Sequence, residues 1–240
     1  MNLQKSQNPQ KKTNYQKQLE QFLAKLAASG KRPKLLLHAC CGPCSSYCLE
    51  YLYQYFDITV FFYNPNIYPE AEYQRRLQEL KDLYKVFPPA LEGKIKLVEM
   101  PYNPDDFYTA IKIKEEPQLA DEPEKGVRCH RCYEFRLKAA RKYAEENNFD
   151  YFCTTLSISP FKDSVQINEI GEELTAGAVV NSTAEEVTSS QWLTSDFKKN
   201  NGFKRSLEIS EQYNLYSQQY CGCVYSQKTA IIESPSWTGS

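Results

Sequence analysis

The chain carries nine cysteines, and most of them stand in closely spaced groups. Grouped thiols indicate a site, because isolated structural cysteines behave as small hydrophobic residues and need no particular spacing. The groups are Cys40, Cys41 and Cys44 with Cys48, then Cys129 with Cys132, and finally Cys221 with Cys223. This pattern predicts metal or redox chemistry.

Two of these groups could supply the ligands of one metal centre. Thiolates from Cys40-Cys41 and from Cys129-x-x-Cys132 could hold either a zinc ion or an iron–sulfur cluster. Adjacent cysteines are less usual in a structural zinc site, whereas neighbouring cysteines can bind different corners of a larger four-iron cluster. On the residues alone, zinc and an iron–sulfur cluster stand as equal hypotheses, and unrelated buried thiols are the third alternative.

Two further patterns indicate redox chemistry. The run Cys41-Gly42-Pro43-Cys44 follows an apolar strand and opens a helix, as in a thioredoxin-type pair, so a thioredoxin-like thiol oxidoreductase is an alternative. In Cys221-Gly222-Cys223, a disulfide would close a tight and strained ring that is easily reduced. Redox cycling, separate metal ligands and ordinary thiols all remain open for this second pair.

Some chemically capable residues are better interpreted as packing. Cys153 lies on a predicted core strand, and Cys48 lies one helical turn beyond Cys44. His38 lies on the strand before Cys40, where a hydrogen-bonded core histidine is the more common case. His130 lies between Cys129 and Cys132 and is interpreted as flanking the site.

A parallel sheet would bring the thiol groups together. Continuous apolar runs at 34–39 and 58–63 indicate strands that are buried on both faces. Further strands are predicted at 94–98 and 150–155, and helices at 14–28, 43–55, 69–86, 130–147, 164–174 and 202–213. This alternation predicts an α/β fold with a doubly wound, Rossmann-like sheet. In such sheets the site lies beyond the carboxyl ends of the strands, where Cys40 and Cys41 are expected.

Composition indicates one globular domain of a cytoplasmic protein. With 240 residues, 41% of them hydrophobic, the chain can bury a substantial core. We predict a disordered tail at 1–13, a single α/β catalytic domain at 14–226 and a loose tail at 227–240, and the stretch 176–196 remains ambiguous. No signal-peptide core and no run of membrane-spanning length is evident, so we expect a cytoplasmic chain with no membrane partner, in which thiols stay reduced.

The net charge of the chain does not indicate a nucleic-acid partner. The formal charge is −1 at pH 7, so RNA contacts would require basic side chains that are segregated on one face. The candidates are Arg75, Arg76, Lys198, Lys199, Lys204 and Arg205.

The order of the motifs resembles a known family. The matching segments are Leu37-His38-Ala39-Cys40-Cys41-Gly42-Pro43-Cys44, Phe62-Tyr63-Asn64-Pro65-Asn66-Ile67, Arg128-Cys129-His130-Arg131-Cys132, Ser159-Pro160-Phe161-Lys162 and Tyr220-Cys221-Gly222-Cys223. Together they resemble the cobalamin-independent epoxyqueuosine reductase family, over about residues 34 to 226.

This resemblance implies a specific activity and cofactor. Such an enzyme reduces the epoxide of epoxyqueuosine, carried at the wobble position of a tRNA, in the last step of queuosine biosynthesis. The resemblance implies a [4Fe-4S] cluster on Cys40, Cys41, Cys129 and Cys132, and a redox-active pair at Cys221 and Cys223. It also implies an additional mononuclear iron near Cys44, a nucleotide-binding α-hydrolase-like domain with additional helices, and an electron donor that the sequence does not identify. A non-catalytic, zinc-stabilised RNA-binding module is the alternative from another functional class.

Overall fold

A parallel sheet of five strands forms the centre of the fold, in the order β3-β2-β1-β4-β5. The strands are β1 (Lys34–His38), β2 (Asp57–Phe62), β3 (Lys96–Glu99), β4 (Tyr151–Thr154) and β5 (Gln191–Trp192). This computed structural model describes residues 13–176, 189–218 and 220–227. The predicted α/β class with a parallel, Rossmann-like sheet is confirmed.

The central strand is the most apolar segment of the sheet. Leu35, Leu36 and Leu37 of β1 are fully buried, because helices cover both faces of a parallel sheet. The strand pairs with β2 on one side and with β4 on the other, so Leu36 lies opposite both Thr59 and Phe152. This pairing fixes where β1 ends, and it therefore fixes the position of Cys40, which follows the strand.

Helices connect and cover the strands. They are α1 (Tyr15–Ser29), α2 (Gly42–Leu52), α3 (Glu70–Tyr84), α4 (Pro88–Glu92), α5 (Pro104–Ala110), α6 (Val127–Glu146), α7 (Ser164–Ala176) and α8 (Gly202–Gln212), with 3-10 turns at Pro117–Asp121 and Thr155–Ile158. Helix α2 packs against α8, and α6 packs against α7, β1 and β4. A helical turn at 224–227 follows the last cysteine pair.

The predicted elements are present with ends shifted by a few residues, and three short ones were missed. Helices α4 and α5 each begin at a proline and are too short to show a clear period. Strand β5 has two residues and lies in the stretch 176–196, whose sequence pattern is ambiguous. The predicted tails, apart from Thr13 and Gln227, and residues 177–188 lie outside the described residues, and the domain limits stay a prediction. No helix in the described segments combines the length and apolarity needed to cross a bilayer.

Candidate metal and redox site

The sequence groups converge at the carboxyl edge of the sheet. Strand order reverses between β1 and β4, which are neighbours although β2 and β3 lie between them in sequence. Such a reversal opens a crevice beyond the strand ends. Cys40 and Cys41 follow β1 on one side of this crevice, and Lys162 follows β4 on the other.

Three thiols after β1 form a close group, here called the thiol triad: Cys40, Cys41 and Cys44. Their sulfurs all lie within 4.8 Å of one another, and Cys40 Sγ and Cys41 Sγ are 3.8 Å apart. Cys41 is the N-cap of α2, and Cys44 lies in its first turn. Hydrogen bonds from Cys41 and Cys44 lower the pKa of Cys40, whereas burial raises that of Cys41 to about 12. Cys40 is therefore the most easily deprotonated thiol of the triad.

A second pair of thiols, here called the α6 pair, lies at the start of α6. The Glu122 carboxylate accepts hydrogen bonds from the backbone N–H groups of Val127 and Arg128, at 2.8 and 2.7 Å, and so satisfies the exposed N-terminus of the helix. This holds Cys129 and Cys132, which are three residues apart and lie on one helix face. Burial raises the pKa of Cys129 to about 11 and that of Cys132 to about 12. A bound cation would have to displace these protons.

The segment Cys221-Gly222-Cys223, here called the C-x-C segment, is fixed through its backbone. Arg76 Nη1 donates to the carbonyl oxygen of Cys221 at 3.3 Å, and the Tyr68 N–H donates to that of Gly222 at 2.8 Å. Gly222 has φ of +124°, and a Cβ there would lie 3.1 Å from Arg76 Nη1. Glycine is therefore required by both backbone conformation and space.

Two cations that the sequence analysis did not single out lie among the sulfurs. Lys162 Nζ donates to Cys221 Sγ at 3.1 Å, and nearby Cys221 and Cys40 raise the pKa of this lysine although burial opposes it. Arg136 is 1% exposed and interacts electrostatically with Cys132, Cys221 and Cys40. Within the described residues neither cation forms an ion pair with a carboxylate. In the sequence, both cations could have been found by their position next to the thiol motifs, because Lys162 follows β4 and Arg136 lies on α6.

The close group of three sulfurs differs from the predicted set of four ligands. Cys44 belongs to the close group, whereas Cys129 and Cys132 lie near enough to Cys221 for the charges to interact. All cysteines are free thiols, so Cys221 and Cys223 are not joined by a disulfide. The structure thus brings the predicted thiols to one edge of the sheet, and the ligand and redox roles stay predictions.

Residues interpreted as packing do lie in the core. Cys48 and Cys153 are fully buried in the main apolar cluster. His38 is fully buried between Thr154 Oγ1, 2.8 Å from Nδ1, and the Tyr63 carbonyl oxygen, 3.2 Å from Nε2. Burial lowers the pKa of His38 to about 4, so it is a neutral hydrogen-bonded residue of the sheet.

One predicted RNA-binding residue is wrong. Arg76 is fully buried and forms an ion pair with Glu72 at 2.7 Å, so it cannot meet a phosphate at the surface. Its neighbour Arg75 is exposed and lies 3.3 Å over the ring of Tyr216. Of the other candidates, Lys198 pairs with Asp196, and Arg205 pairs with Glu50 and Glu208, whereas Lys199 and Lys204 are exposed.

The thioredoxin alternative fits the geometry poorly. A thioredoxin-type nucleophile must be accessible and have a low pKa. Cys41, the first cysteine of the Cys-Gly-Pro-Cys run, is fully buried, and burial raises its pKa to about 12. Gln218 also covers it, donating from Nε2 to Cys41 Sγ at 2.9 Å. This thiol is therefore poorly placed to attack a protein disulfide.

Comparisons with known proteins identify the family of the chain. The family model for epoxyqueuosine reductase QueH matches residues 35–229. The chain is 40% identical to epoxyqueuosine reductase QueH of Staphylococcus epidermidis over 214 residues, covering 89% of this chain and 84% of that protein. It is also 40% identical to the Streptococcus pyogenes protein of the same name, covering 94% and 83%. The Thermotoga maritima protein of that name is 30% identical, over 80% of this chain and 89% of its own. The chain therefore belongs to the epoxyqueuosine reductase QueH family, a family of oxidoreductases.

Proposed function

We propose that this chain reduces the epoxide of epoxyqueuosine, at the wobble position of a tRNA, to the cyclopentene of queuosine. The observation that carries the proposal is the convergence of thiols from three separate segments at one sheet edge, in a chain of this family. The reaction consumes two electrons and two protons and releases the epoxide oxygen as water. A site for it must therefore hold reducing equivalents and admit an RNA nucleoside.

The donor set supports an iron–sulfur cluster. We assign its ligation to Cys40, Cys41, Cys129 and Cys132, and an additional iron to Cys44. Arg136 supports an anionic group here, because its guanidinium is fully buried and Nη2 has no hydrogen-bond partner among the described residues. A buried cation without a counter-charge is strongly destabilising, and a thiolate-bound metal centre would supply that charge. When bound, the cluster supplies one-electron redox chemistry, and the additional iron a Lewis acid.

The two thiols of the C-x-C segment can supply the number of electrons and protons that the proposed reaction consumes. Oxidation of the Cys221 and Cys223 dithiol to a disulfide releases two electrons and two protons, which is the amount that one epoxide consumes. Cys221 is partly exposed and lies near the α6 pair, and Cys223 shares an apolar cluster with Cys132. We infer that the pair delivers reducing equivalents at the site. An electron donor from outside the chain then returns the disulfide to the dithiol.

A basic cavity beside the site supports a tRNA substrate. It has a volume of about 410 Å³ and includes Lys162, so it adjoins the sulfur of Cys221. Its charged lining residues are Lys125, Lys162, Lys198 and Lys199, with Asp163 and Asp196. Phe161 stands beside it with 68% of its surface exposed. Lysines fit RNA phosphates, and an exposed ring fits a splayed nucleobase.

The decisive experiment is anaerobic turnover on tRNA that carries epoxyqueuosine, followed by nucleoside analysis of the product. Conversion to queuosine by the unaltered chain and its loss in Cys221→Ser are expected. Cys153→Ser is the matched control, because it changes a buried thiol that lies in the core. A colourless protein with stoichiometric zinc and no conversion would favour the non-catalytic RNA-binding module.

A further inference from the structure

The two sulfurs of the C-x-C segment have separate hydrogen-bond partners. Lys162 Nζ donates to Cys221 Sγ at 3.1 Å. Cys223 Sγ donates to Ser226 Oγ at 3.4 Å and accepts from the Ser226 N–H, also at 3.4 Å. Cys223 is 8% exposed and packs in the cluster that contains Phe107 and Ile111. Neither sulfur is directed to the other by these bonds.

Oxidation of the pair would cost these bonds. A disulfide sulfur has no proton, so the bond from Cys223 to Ser226 Oγ is lost. A disulfide sulfur cannot become a thiolate, the form to which an ammonium donates most strongly, so the bond from Lys162 to Cys221 is weaker in the oxidised pair. Hydrogen bonds from Arg76 and Tyr68 hold the carbonyl groups of Cys221 and Gly222 in place. The backbone therefore cannot move so that the two sulfurs approach each other and both keep their hydrogen-bond partners.

We propose that Lys162, assisted by Ser226, is a positioning residue that stabilises the dithiol form of the C-x-C segment and so makes the pair readily reducible. Stabilisation of the reduced form is what makes a thiol pair an oxidising one. The inference rests on the redox role proposed above and adds the residues that set it. In chemical terms, two external thiols reduce the disulfide, become a disulfide themselves, and leave Cys221 and Cys223 as thiols.

The pair can be measured without interference from the other cysteines. Trypsin should release a peptide spanning 206–228, because no lysine or arginine lies between Arg205 and Lys228, and this peptide contains Cys221 and Cys223 alone. Full-length protein would be equilibrated anaerobically in glutathione buffers, quenched, alkylated and digested. The mass of this peptide then gives the dithiol fraction at each glutathione ratio.

Lys162→Met keeps the length of the side chain and removes its ammonium. We expect it to shift the equilibrium at least about tenfold toward the disulfide, which corresponds to a midpoint potential about 30 mV lower. Lys162→Arg keeps a positive charge and should bring the equilibrium most of the way back to that of the unaltered chain. Ser226→Ala should cause a smaller shift toward the disulfide. Lys125→Met removes an ammonium of the same cavity that donates to the Pro160 carbonyl oxygen and not to a sulfur, and it should leave the equilibrium unchanged.

Three outcomes would overturn the inference, and they differ in what else they overturn. An equilibrium in folded Lys162→Met that equals that of the unaltered chain overturns it alone. If the unaltered chain forms no disulfide in any buffer, the redox role of the pair fails as well. An equal shift in Lys125→Met also overturns it, because the charge of the cavity, and not the bond to Cys221, would then be responsible.

Discussion

Arg76 Nη1 lies 3.3 Å from the carbonyl oxygen of Cys221 and ties α3 to the C-x-C segment across the site. The same guanidinium pairs through Nε with Glu72, one helical turn earlier, at 2.7 Å. Neither side chain is substantially exposed. The buried ion pair therefore serves as the anchor of the segment that holds the proposed redox cysteines.

Removal of this anchor should be strongly destabilising. Arg76→Met leaves the buried Glu72 carboxylate without its ion-pair partner and, among the described residues, with only the Tyr216 hydroxyl as a donor, so we expect the free energy of unfolding to fall by about 3–5 kcal/mol. Arg75→Met is the matched control on an exposed arginine of the same helix and should cost less than about 1 kcal/mol. Urea denaturation measures both. Equal losses in the two variants would contradict the anchoring role.

Iron content should separate the ligands from the packing thiols. Serine at Cys40, Cys41, Cys129 or Cys132 should abolish the colour and most of about four cluster irons per chain, because each removes a ligand. Serine at Cys48 or Cys153 should leave iron and sulfide unchanged, as both lie in the core.

Cys44 makes the same series more discriminating. Cys44→Ser should retain the cluster and lose only an additional iron. If it bleaches the cluster while the double variant Cys129→Ser/Cys132→Ser keeps its iron, the triad holds the metal and the predicted set of four is wrong. Anaerobic iron and sulfide analysis decides between these outcomes.

The C-x-C segment should be required for turnover but not for the cluster. Cys221→Ser or Cys223→Ser should leave the cluster spectrum and the thermal midpoint unchanged, since neither residue is assigned as a ligand. Turnover should collapse with a mild thiol reductant and partly recover with a strong low-potential donor. Loss of iron in either variant would make these cysteines ligands, and unchanged turnover in both would remove their redox role.

The basic cavity should determine how salt affects tRNA binding. Lys199→Glu and Lys125→Glu should each weaken binding and lower the slope of log K against log salt by about one, because each removes a phosphate contact. Lys96→Glu is the control at the opposite edge, where a cavity of about 720 Å³ is also lined by basic residues. An equal effect of Lys96→Glu would contradict RNA binding at the basic cavity, because Lys96 lies at the opposite edge of the sheet.

Local pattern predicts the frame of this site better than its interior. The apolar run of β1 is visible in sequence, and the rule that sites lie beyond strand ends then places Cys40 correctly. The burial of Arg76 is not visible, because a charged helix looks solvent-exposed until the residues that cover it are known. Lys162 could be located after β4 but not paired with Cys221, since that contact depends on how distant segments pack.

The order of strands also bears on how the protein is made. The central strand β1 obtains its second neighbour only when β4 has been synthesised, and the proposed ligands Cys40 and Cys41 can be joined by Cys129 and Cys132 only after α6 has been synthesised. A nascent chain that has emerged as far as β3 presents the thiol triad without the α6 pair. Complete ligation of a metal centre by the four assigned cysteines must therefore follow synthesis of α6, so metal retention would report that this half of the chain has folded.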